Sequence, residues 1–309
     1  MKKVLYPILA VIVFFVMQVF AGVGIAVITI AKNPSEFQTI AKSGNIEAVT
    51  SYMFTGDALP WALILSGIAT VCIIAALGMI QWKSVLNFKM IDWKICGLAI
   101  LGAVVVIFYT DLLSEFMDFP DEMGKIFNSM ASSVVGALSI GVIGPIMEEL
   151  IFREAVLGWM LRRGVNKWVA ITTSAVVFGL IHANPAQIPF AIVIGFIFGI
   201  IYYKTGNIVI TSILHILNNS VAVLLMVLQG EEAADTKLGD LLGGPVMSLA
   251  ICIPLLAVGF NCLMVFWKES RTEHFPALQT EQAEMAETDI ITQEIETTNQ
   301  NLINDETIL

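Results

Sequence analysis

Five ionisable side chains lie inside strongly apolar stretches of this sequence. Glu148, Glu149 and Arg153 occur in PIMEELIFREA, His182 in VVFGLIHANP and His215 in ITSILHILNNS. A charged side chain costs about 2.5–3.5 kcal/mol at the centre of a membrane helix, so ionisable residues kept there are candidates for function. A carboxylate near imidazoles can activate water as a general base, ligate zinc or relay protons. These five residues therefore form the candidate site.

Helical geometry divides the charges of PIMEELIFREA into a pair and a single carboxylate. Glu149 and Arg153 are four residues apart, so they share a helix face and can form an ion pair. Glu148 is rotated by about 100° from its neighbour, which lets it face a cavity. At about 1.5 Å per residue from the helix ends, Glu148 and His182 fall at similar depth, with His215 in reach if helices tilt or kink. We expect Glu148 to face His182 and a water molecule.

Each histidine has a neighbour four residues away on the same helix face. Phe178 sets an aromatic ring beside His182, and Asn219 points the same way as His215. Two interpretations stand for Asn219, a direct role at the site or a hydrogen bond that joins two helices. Asn218 is interpreted as a packing or capping residue.

The elements that must position these residues are apolar helices. Of the 309 residues, 57% are hydrophobic and 14% are charged, against about 25% charged in soluble domains, and the mean hydropathy is +0.82. We therefore predict an all-α, polytopic membrane helix bundle. At about 20 apolar residues per span, eight spans are predicted: 4–31, 58–82, 93–110, 127–161, 167–183, 188–203, 207–229 and 245–267.

Three of these spans carry further expectations. The fourth, 127–161, is too long for one straight helix, and Pro145 predicts a kink or a division there. The fifth and sixth are short for a full crossing. Gly195 and Gly199, four residues apart in the sixth span, predict close packing against a neighbouring helix.

Lysine and arginine residues predict the orientation, because cytoplasmic loops carry an excess of them. With the amino terminus inside, eleven of the sixteen fall on the cytoplasmic side and four outside, while Arg153 lies within the membrane. Eight spans then place both termini of a multi-pass cell-membrane protein in the cytoplasm. The apolar run 4–31 is longer than the core of a signal peptide, which has about 7–15 residues, so we predict that it is a retained first span.

The net charge of −10 is concentrated after the last span. From residue 268 to 309 there are ten acidic and two basic residues, a balance of −8 that leaves −2 for the rest of the chain. The acidity therefore belongs to a tail, and we expect no nucleic-acid partner. The predicted organisation is a set of N-terminal helices at 1–126, a helical core that holds the site at 127–229, a last span at 230–268 and a disordered acidic cytoplasmic tail at 269–309.

Three patterns occur in order along the core: EELIFR at 148–153, FGLIH at 178–182 and HILNN at 215–219. Together they resemble the CPBP family of intramembrane proteases, also called the Abi family, which includes CAAX-prenyl endopeptidases and bacteriocin-processing or immunity proteins. The resemblance covers about 130–229, a third of the chain. It implies an intramembrane endopeptidase that hydrolyses a peptide bond of a membrane-associated protein or peptide in the lipid bilayer.

The resemblance also implies a role for each residue of the patterns. Glu148 would be the general base, and His182 would help it to activate the attacking water. His215 and Asn219 would stabilise the oxyanion that forms when water adds to the peptide carbonyl. Three further residues would support this set: Glu149, Arg153 and Phe178.

Whether zinc takes part stays open at this point. Glu148, His182 and His215 could ligate zinc and leave one position for water. The sequence has neither an HExxH motif nor a cysteine ligand set, which favours a site that works without metal.

Two other functions are also compatible with the sequence. One is a non-proteolytic bacteriocin-immunity or scaffold protein on the same fold, against which the complete motifs argue. The other is a proton-coupled transporter, because clusters of Glu, His and Arg also build proton relays. Against the transporter, no inverted repeat is visible and the polar groups cluster in one half of the chain.

Overall fold

The computed structural model describes most of the chain. The described residues are 2–54, 56–85, 92–114, 117, 119–120, 123–229, 243–270 and 275. Within them the backbone forms helices joined by turns and contains no strand, which confirms the predicted all-α fold. The stretch 230–242, with which the predicted last-span segment begins, lies outside the described residues, and so does nearly all of the predicted tail.

The described helices follow one another in this order: α1 (Lys2–Lys32), α2 (Pro34–Lys42), α3 (Ile46–Met53), α4 (Ala58–Ala76), α5 (Trp82–Val85), α6 (Trp93–Ser114), α7 (Gly124–Ala131), α8 (Val134–Leu161), α9 (Lys167–Leu180), α10 (Ile188–Thr205), α11 (Val209–Gln229) and α12 (Pro245–Glu269). Seven of them, α1, α4, α6, α8, α10, α11 and α12, are long and apolar enough to cross a membrane. The chain is therefore a polytopic membrane protein. The remaining predicted span, 167–183, is the 14-residue helix α9.

Helix α8 carries the charged cluster and is not a uniform α-helix. Its α-helical parts are Val134–Leu138, Gly144–Glu148 and Trp159–Leu161. Between them lie two π-helical segments, Ser139–Ile143 and Glu149–Gly158. A π-helix bonds each carbonyl to the fifth following N–H, and such segments occur often at functional sites. The rotation of about 100° per residue that an α-helix would give therefore does not hold from Glu149 onward.

The long fourth span is divided before Pro145 and not at it. Helix α7 ends at Ala131, and Ser133 starts α8 by accepting a hydrogen bond from the N–H of Gly136 at 3.0 Å. Pro145 instead lies inside α8, near the start of its middle α-helical part. The division falls at Ser133 because a serine side chain can cap the first turn of a new helix.

Pro145 supplies a physical reason for the π-helical segment that precedes it. Proline has no N–H, and its ring clashes with the carbonyl four residues earlier, here Gly141. An ordinary residue at this position would bond Gly141 in an α-helix or Ile140 in a π-helix. Side chains of helix α11 donate hydrogen bonds to both carbonyls instead. Asn219 Nδ2 donates to Ile140 at 3.1 Å, and Ser220 Oγ donates to Gly141 at 3.2 Å.

Close helix packing positions the elements around α8. The most extensive helix contacts join α9 to α10, α6 to α12 and α1 to α4. A Cβ added at Gly195 would lie 3.3 Å from the Cα of Ala175, and one at Gly199 would lie 3.0 Å from Cγ2 of Ile171. Because both neighbours are in α9, the predicted close packing at these two glycines is confirmed.

We predict that Gly179→Ala separates α9 from α10. A Cβ at this position would lie 2.9 Å from the carbonyl oxygen of Ile188 and would overlap the side chain of Ile192. Because backbone atoms would have to move, we expect a loss of about 1–3 kcal/mol of stability, measured as a lower Tm of the detergent-solubilised protein.

Gly97→Ala is the matched control for this substitution. A Cβ added at Gly97 in α6 meets no atom within 4 Å, so its Tm should be unchanged or slightly higher, because alanine favours helix. Equal Tm values for the Gly179 and Gly97 variants would contradict the close crossing of α9 and α10.

Candidate active site

Glu149 lies at the centre of a buried group of polar contacts. Its Oε2 is 3.2 Å from Nε of Arg153, and both side chains are buried, so the expected ion pair is present. Its Oε1 accepts a hydrogen bond from Nδ1 of His215 at 2.9 Å. One carboxylate therefore balances the guanidinium on its own helix and holds the imidazole that α11 supplies.

His215 connects this buried pair to Glu148. Its Nε2 lies 3.6 Å from Oε2 of Glu148. Because the ionised carboxylate of Glu149 only accepts, Nδ1 of His215 carries a proton, and the neutral ring has its lone pair on Nε2. With a second proton the ring would face a carboxylate at each nitrogen. Glu148 is 23% exposed and Glu149 is 0% exposed, so Glu148 is the carboxylate that a ligand can reach.

His182 lies just beyond the last residue of α9. Its Nδ1 donates to the carbonyl of Phe178 at 2.8 Å, so the neutral ring has its lone pair on Nε2. The side chain is half-buried, which leaves that nitrogen in reach of a ligand. In the described part of the chain no hydrogen bond or ion pair joins His182 to Glu148. The imidazole in contact with Glu148 is that of His215.

Phe178 packs against three of the predicted site residues. Its ring centroid is 5.0 Å from that of His182 and 5.7 Å from that of His215, both edge-on. Arg153 places its guanidinium carbon 4.5 Å from the same centroid. Nη1 and Nη2 of Arg153 are buried without a hydrogen-bond partner in the described structure. The aromatic face offers this cation a favourable contact that partly replaces those hydrogen bonds.

Asn219 uses its side chain to hold helices together. Besides donating to Ile140, it accepts a hydrogen bond at Oδ1 from Nδ2 of Asn218 at 3.0 Å. The contact with Ile140 supports the interpretation that Asn219 joins two helices. Its Nδ2 carries a second hydrogen, so the oxyanion role that the family resemblance implies stays a prediction.

The residues proposed as zinc ligands do not assemble into a metal site. Where the structure describes the chain, no group of three or more His, Cys, Asp and Glu side chains could hold a metal ion. Glu148 and His215 approach each other, whereas the polar contact of His182 is with the carbonyl of Phe178. In the observed arrangement, Glu148, His182 and His215 do not fit a zinc site with three protein ligands.

Glu154 is a second buried carboxylate of α8, and the sequence patterns did not predict its role. It is 1% exposed and accepts from Arg162 Nη1 at 2.7 Å, from the hydroxyl of Tyr202 at 2.5 Å and from the N–H of Gln81 at 3.0 Å. These contacts tie α8 to α10 and to the turn after α4. Two features of the sequence could have pointed to Glu154: it lies in the apolar stretch PIMEELIFREA, and Arg162 follows it eight residues later.

The turn that follows His182 contains a residue with left-handed backbone. Ala183 has φ +51°, a conformation that costs about 1–2 kcal/mol for a residue with a Cβ. Its N–H donates to the carbonyl of Leu180 at 3.2 Å, and the next carbonyl, that of Asn184, accepts the N–H of Ile188 at 3.0 Å. The turn therefore carries the histidine between the end of α9 at Leu180 and the start of α10 at Ile188.

We predict opposite effects for two substitutions at Ala183. Ala183→Gly should leave the Tm unchanged or raise it, because glycine adopts positive φ without strain. Ala183→Val should lower stability by about 1–2 kcal/mol or more, because a β-branched side chain is strongly disfavoured there. Thermal unfolding in detergent checks both. A glycine variant as unstable as the valine variant would contradict a strained turn.

Comparisons with known proteins agree with the motifs. Residues 130–221 match the family model described as type II CAAX prenyl endopeptidase Rce1-like. YdiL of Bacillus subtilis, provisionally named a membrane peptidase, is 29% identical over 106 residues, which are 33% of this chain and 43% of YdiL. The membrane-embedded CAAX protease MroQ of Staphylococcus aureus is 31% identical over 97 residues, which are 30% of this chain and 39% of MroQ.

These matches are confined to part of each protein. The chain spans less than half the length of the two curated relatives. No solved structure was found to match it. The matched region includes every residue of the candidate site, from Glu148 on α8 to Asn219 on α11.

Proposed function

We propose, from the premise that this chain belongs to the CPBP family through residues 130–221, that it is an intramembrane endopeptidase. Its substrate would be a membrane-associated protein or peptide. The observation that carries the proposal is the linked set Arg153, Glu149, His215 and Glu148, in which three members are buried and the last is open to a ligand. This arrangement supports a single reactive carboxylate held among groups that neutralise one another.

Glu148 would act as the general base. It takes a proton from a water molecule whose oxygen adds to the peptide carbonyl carbon, and the carbonyl oxygen becomes an oxyanion. Protonated Glu148 then returns the proton to the amide nitrogen as the C–N bond breaks. Nε2 of His182 has the lone pair needed to hold the second hydrogen of that water, which is the supporting role that the resemblance implies.

His215 and Asn219 would stabilise the oxyanion as donors. His215 can donate from Nε2 only when both of its nitrogens carry protons, since Nδ1 already donates to Glu149. Glu149 and Arg153 would act through this residue, because they hold its ring in place and keep its Nδ1 protonated. Asn219 would contribute the amide hydrogen that Ile140 does not use.

The proposed location is the cell membrane, with both termini in the cytoplasm. Both relatives come from bacteria, and the excess of lysine and arginine on one set of connecting segments supports this orientation. Because seven helices are long enough to span, the proposal requires the shorter helix α9 to cross as well. The non-proteolytic immunity or scaffold protein and the proton-coupled transporter have no contact in the site that favours them over the endopeptidase.

We predict that Glu148→Gln abolishes cleavage while the protein still folds and inserts. Loss of the general base should lower the rate by about 10²–10⁴-fold. The measurement is a profile of newly formed peptide termini in membranes of cells that express either the unchanged protein or the variant, with Tm as the test of folding. Glu36→Gln is the matched control, because this exposed carboxylate lies on α2.

The outcomes of that comparison separate the functions. New peptide termini that are absent from the Glu148 variant but present in the Glu36 variant support the endopeptidase. Unchanged termini in the Glu148 variant would sink the assignment of the base, and a complete lack of protein-dependent termini would favour the immunity or scaffold alternative.

We further predict that cleavage is independent of metal. Since Glu148, His182 and His215 do not form a three-ligand group, chelator treatment of the purified protein should leave its rate unchanged, and elemental analysis should find far less than one zinc per chain. Stoichiometric zinc, together with activity that is lost on chelation and restored by zinc, would contradict this prediction.

A further inference from the structure

Two lysines converge at one end of the bundle, outside the candidate site. Lys204 lies in the last turn of α10, and Lys167 begins α9. Nζ of Lys204 is 4.2 Å from the ring centroid of Trp267, and Nζ of Lys167 is 5.6 Å from the same centroid. One indole of α12 therefore contacts both ammonium groups.

Three aromatic rings form a platform beneath these lysines. Trp168 is stacked on Trp267 with ring centroids 5.4 Å apart, and Tyr203 is stacked on Trp267 with ring centroids 5.9 Å apart. Lys167 also lies 5.7 Å from the ring of Tyr203 and 5.9 Å from that of Trp168. The rings come from α9, α10 and α12, so the platform joins three helix ends.

The two lysines lack an opposite charge in the described structure. None of the ion pairs among the described residues includes either of them. Lys204 is 7% exposed, and its Nζ donates to the carbonyl of Ser270 at 3.3 Å. An ammonium group has three donors, and this one is also close enough to be repelled by Lys167.

Cation–π contacts only partly offset the cost of keeping the Lys204 ammonium away from water beside the positive charge of Lys167. A lysine that merely extends from a helix end would place its ammonium in solvent, as the exposed Lys94 does. The ammonium of Lys204 does not reach solvent in this way, because its side chain is buried. An anion between the two lysines would satisfy both.

The position of the platform indicates which class of anion would bind there. Tryptophan and tyrosine at helix ends mark the headgroup region of a membrane, and Trp168 is 44% exposed on the outside of the bundle. Basic pockets between membrane helices at this depth suit lipid phosphates. We propose that Lys167 and Lys204 bind the phosphate of an anionic phospholipid over the platform of Trp168, Tyr203 and Trp267. Two ammonium groups would repel the cationic part of a zwitterionic headgroup, so an anionic lipid is preferred.

The test uses the full chain purified in an uncharged detergent. Thermal unfolding is followed while dihexanoyl phosphatidylglycerol, dihexanoyl phosphatidylcholine or inorganic phosphate is added. We expect a saturable rise in Tm with phosphatidylglycerol and little change with the other two. The double variant Lys167→Met/Lys204→Met should need at least about tenfold more phosphatidylglycerol for the same rise, as expected when about 1.4 kcal/mol or more of binding is lost.

Lys94→Met is the matched control, because it removes one exposed lysine next to a tryptophan at the start of α6. It should respond to phosphatidylglycerol as the unchanged protein does. If the double variant does not fold, Lys167→Met compared with Lys167→Arg gives the same test at a half-buried position. An equal response to both lipids, a preference that survives loss of the lysines, or an equal response to inorganic phosphate would overturn the lipid site.

Discussion

The structure depends on one constraint, the need to satisfy every backbone polar group of α8 inside a medium without water. An unpaired carbonyl in hydrocarbon costs several kcal/mol, and Pro145 removes a donor in the middle of this helix. Asn219 and Ser220 supply the missing donors from α11. His215 lies on the same helix, one turn before Asn219. The two hydrogen bonds that repair the backbone therefore also bring the imidazole to Glu148 and Glu149.

A second constraint is the cost of charge in the same medium. An ion pair withdrawn from water is tolerated only when its geometry is good and its remaining donors and acceptors are used. The three glutamates of α8 meet this condition to different degrees. Glu149 has Arg153 and His215 as partners, and Glu154 has Arg162 among its partners. Among the described residues, Glu148 makes the longer approach of 3.6 Å to His215 and keeps part of its surface exposed.

Local patterns in the sequence were sufficient for the features that depend on a single helix or on overall composition. Hydropathy predicted the all-α membrane fold, and spacing predicted the Glu149–Arg153 pair and the ring of Phe178 beside His182. Spacing also predicted the close packing at Gly195 and Gly199. These relations hold because neighbours three or four positions apart on a helix are fixed by its geometry.

The features that were missed depend on partners far away along the chain. The hydrogen bond from His215 to Glu149 joins residues 66 positions apart, and that from Asn219 to Ile140 joins residues 79 positions apart. Depth estimates along straight helices cannot give the lateral order of those helices. They therefore brought Glu148 to His182, while the observed contact is with His215. The π-helical turns were missed for a related reason, since a pattern read with the α-helical period does not register an added residue per turn.

Glu148, the carboxylate proposed to react, differs from Glu149 and Glu154 in its contacts and exposure more than in its depth in the membrane. Glu148, Glu149 and Glu154 lie within seven positions on one helix. Glu149 forms an ion pair through one oxygen and accepts a hydrogen bond through the other, and its side chain is 0% exposed, so no water can reach it to give up a proton. Glu148 is 23% exposed, and the ion pair recorded for it among the described residues is the 3.6 Å approach of His215, so its oxygens are open to a water molecule. The stability lost by leaving Glu148 with few partners is the condition for its proposed chemistry. The ion pairs of Glu149 and Glu154 keep the rest of the helix compatible with the membrane.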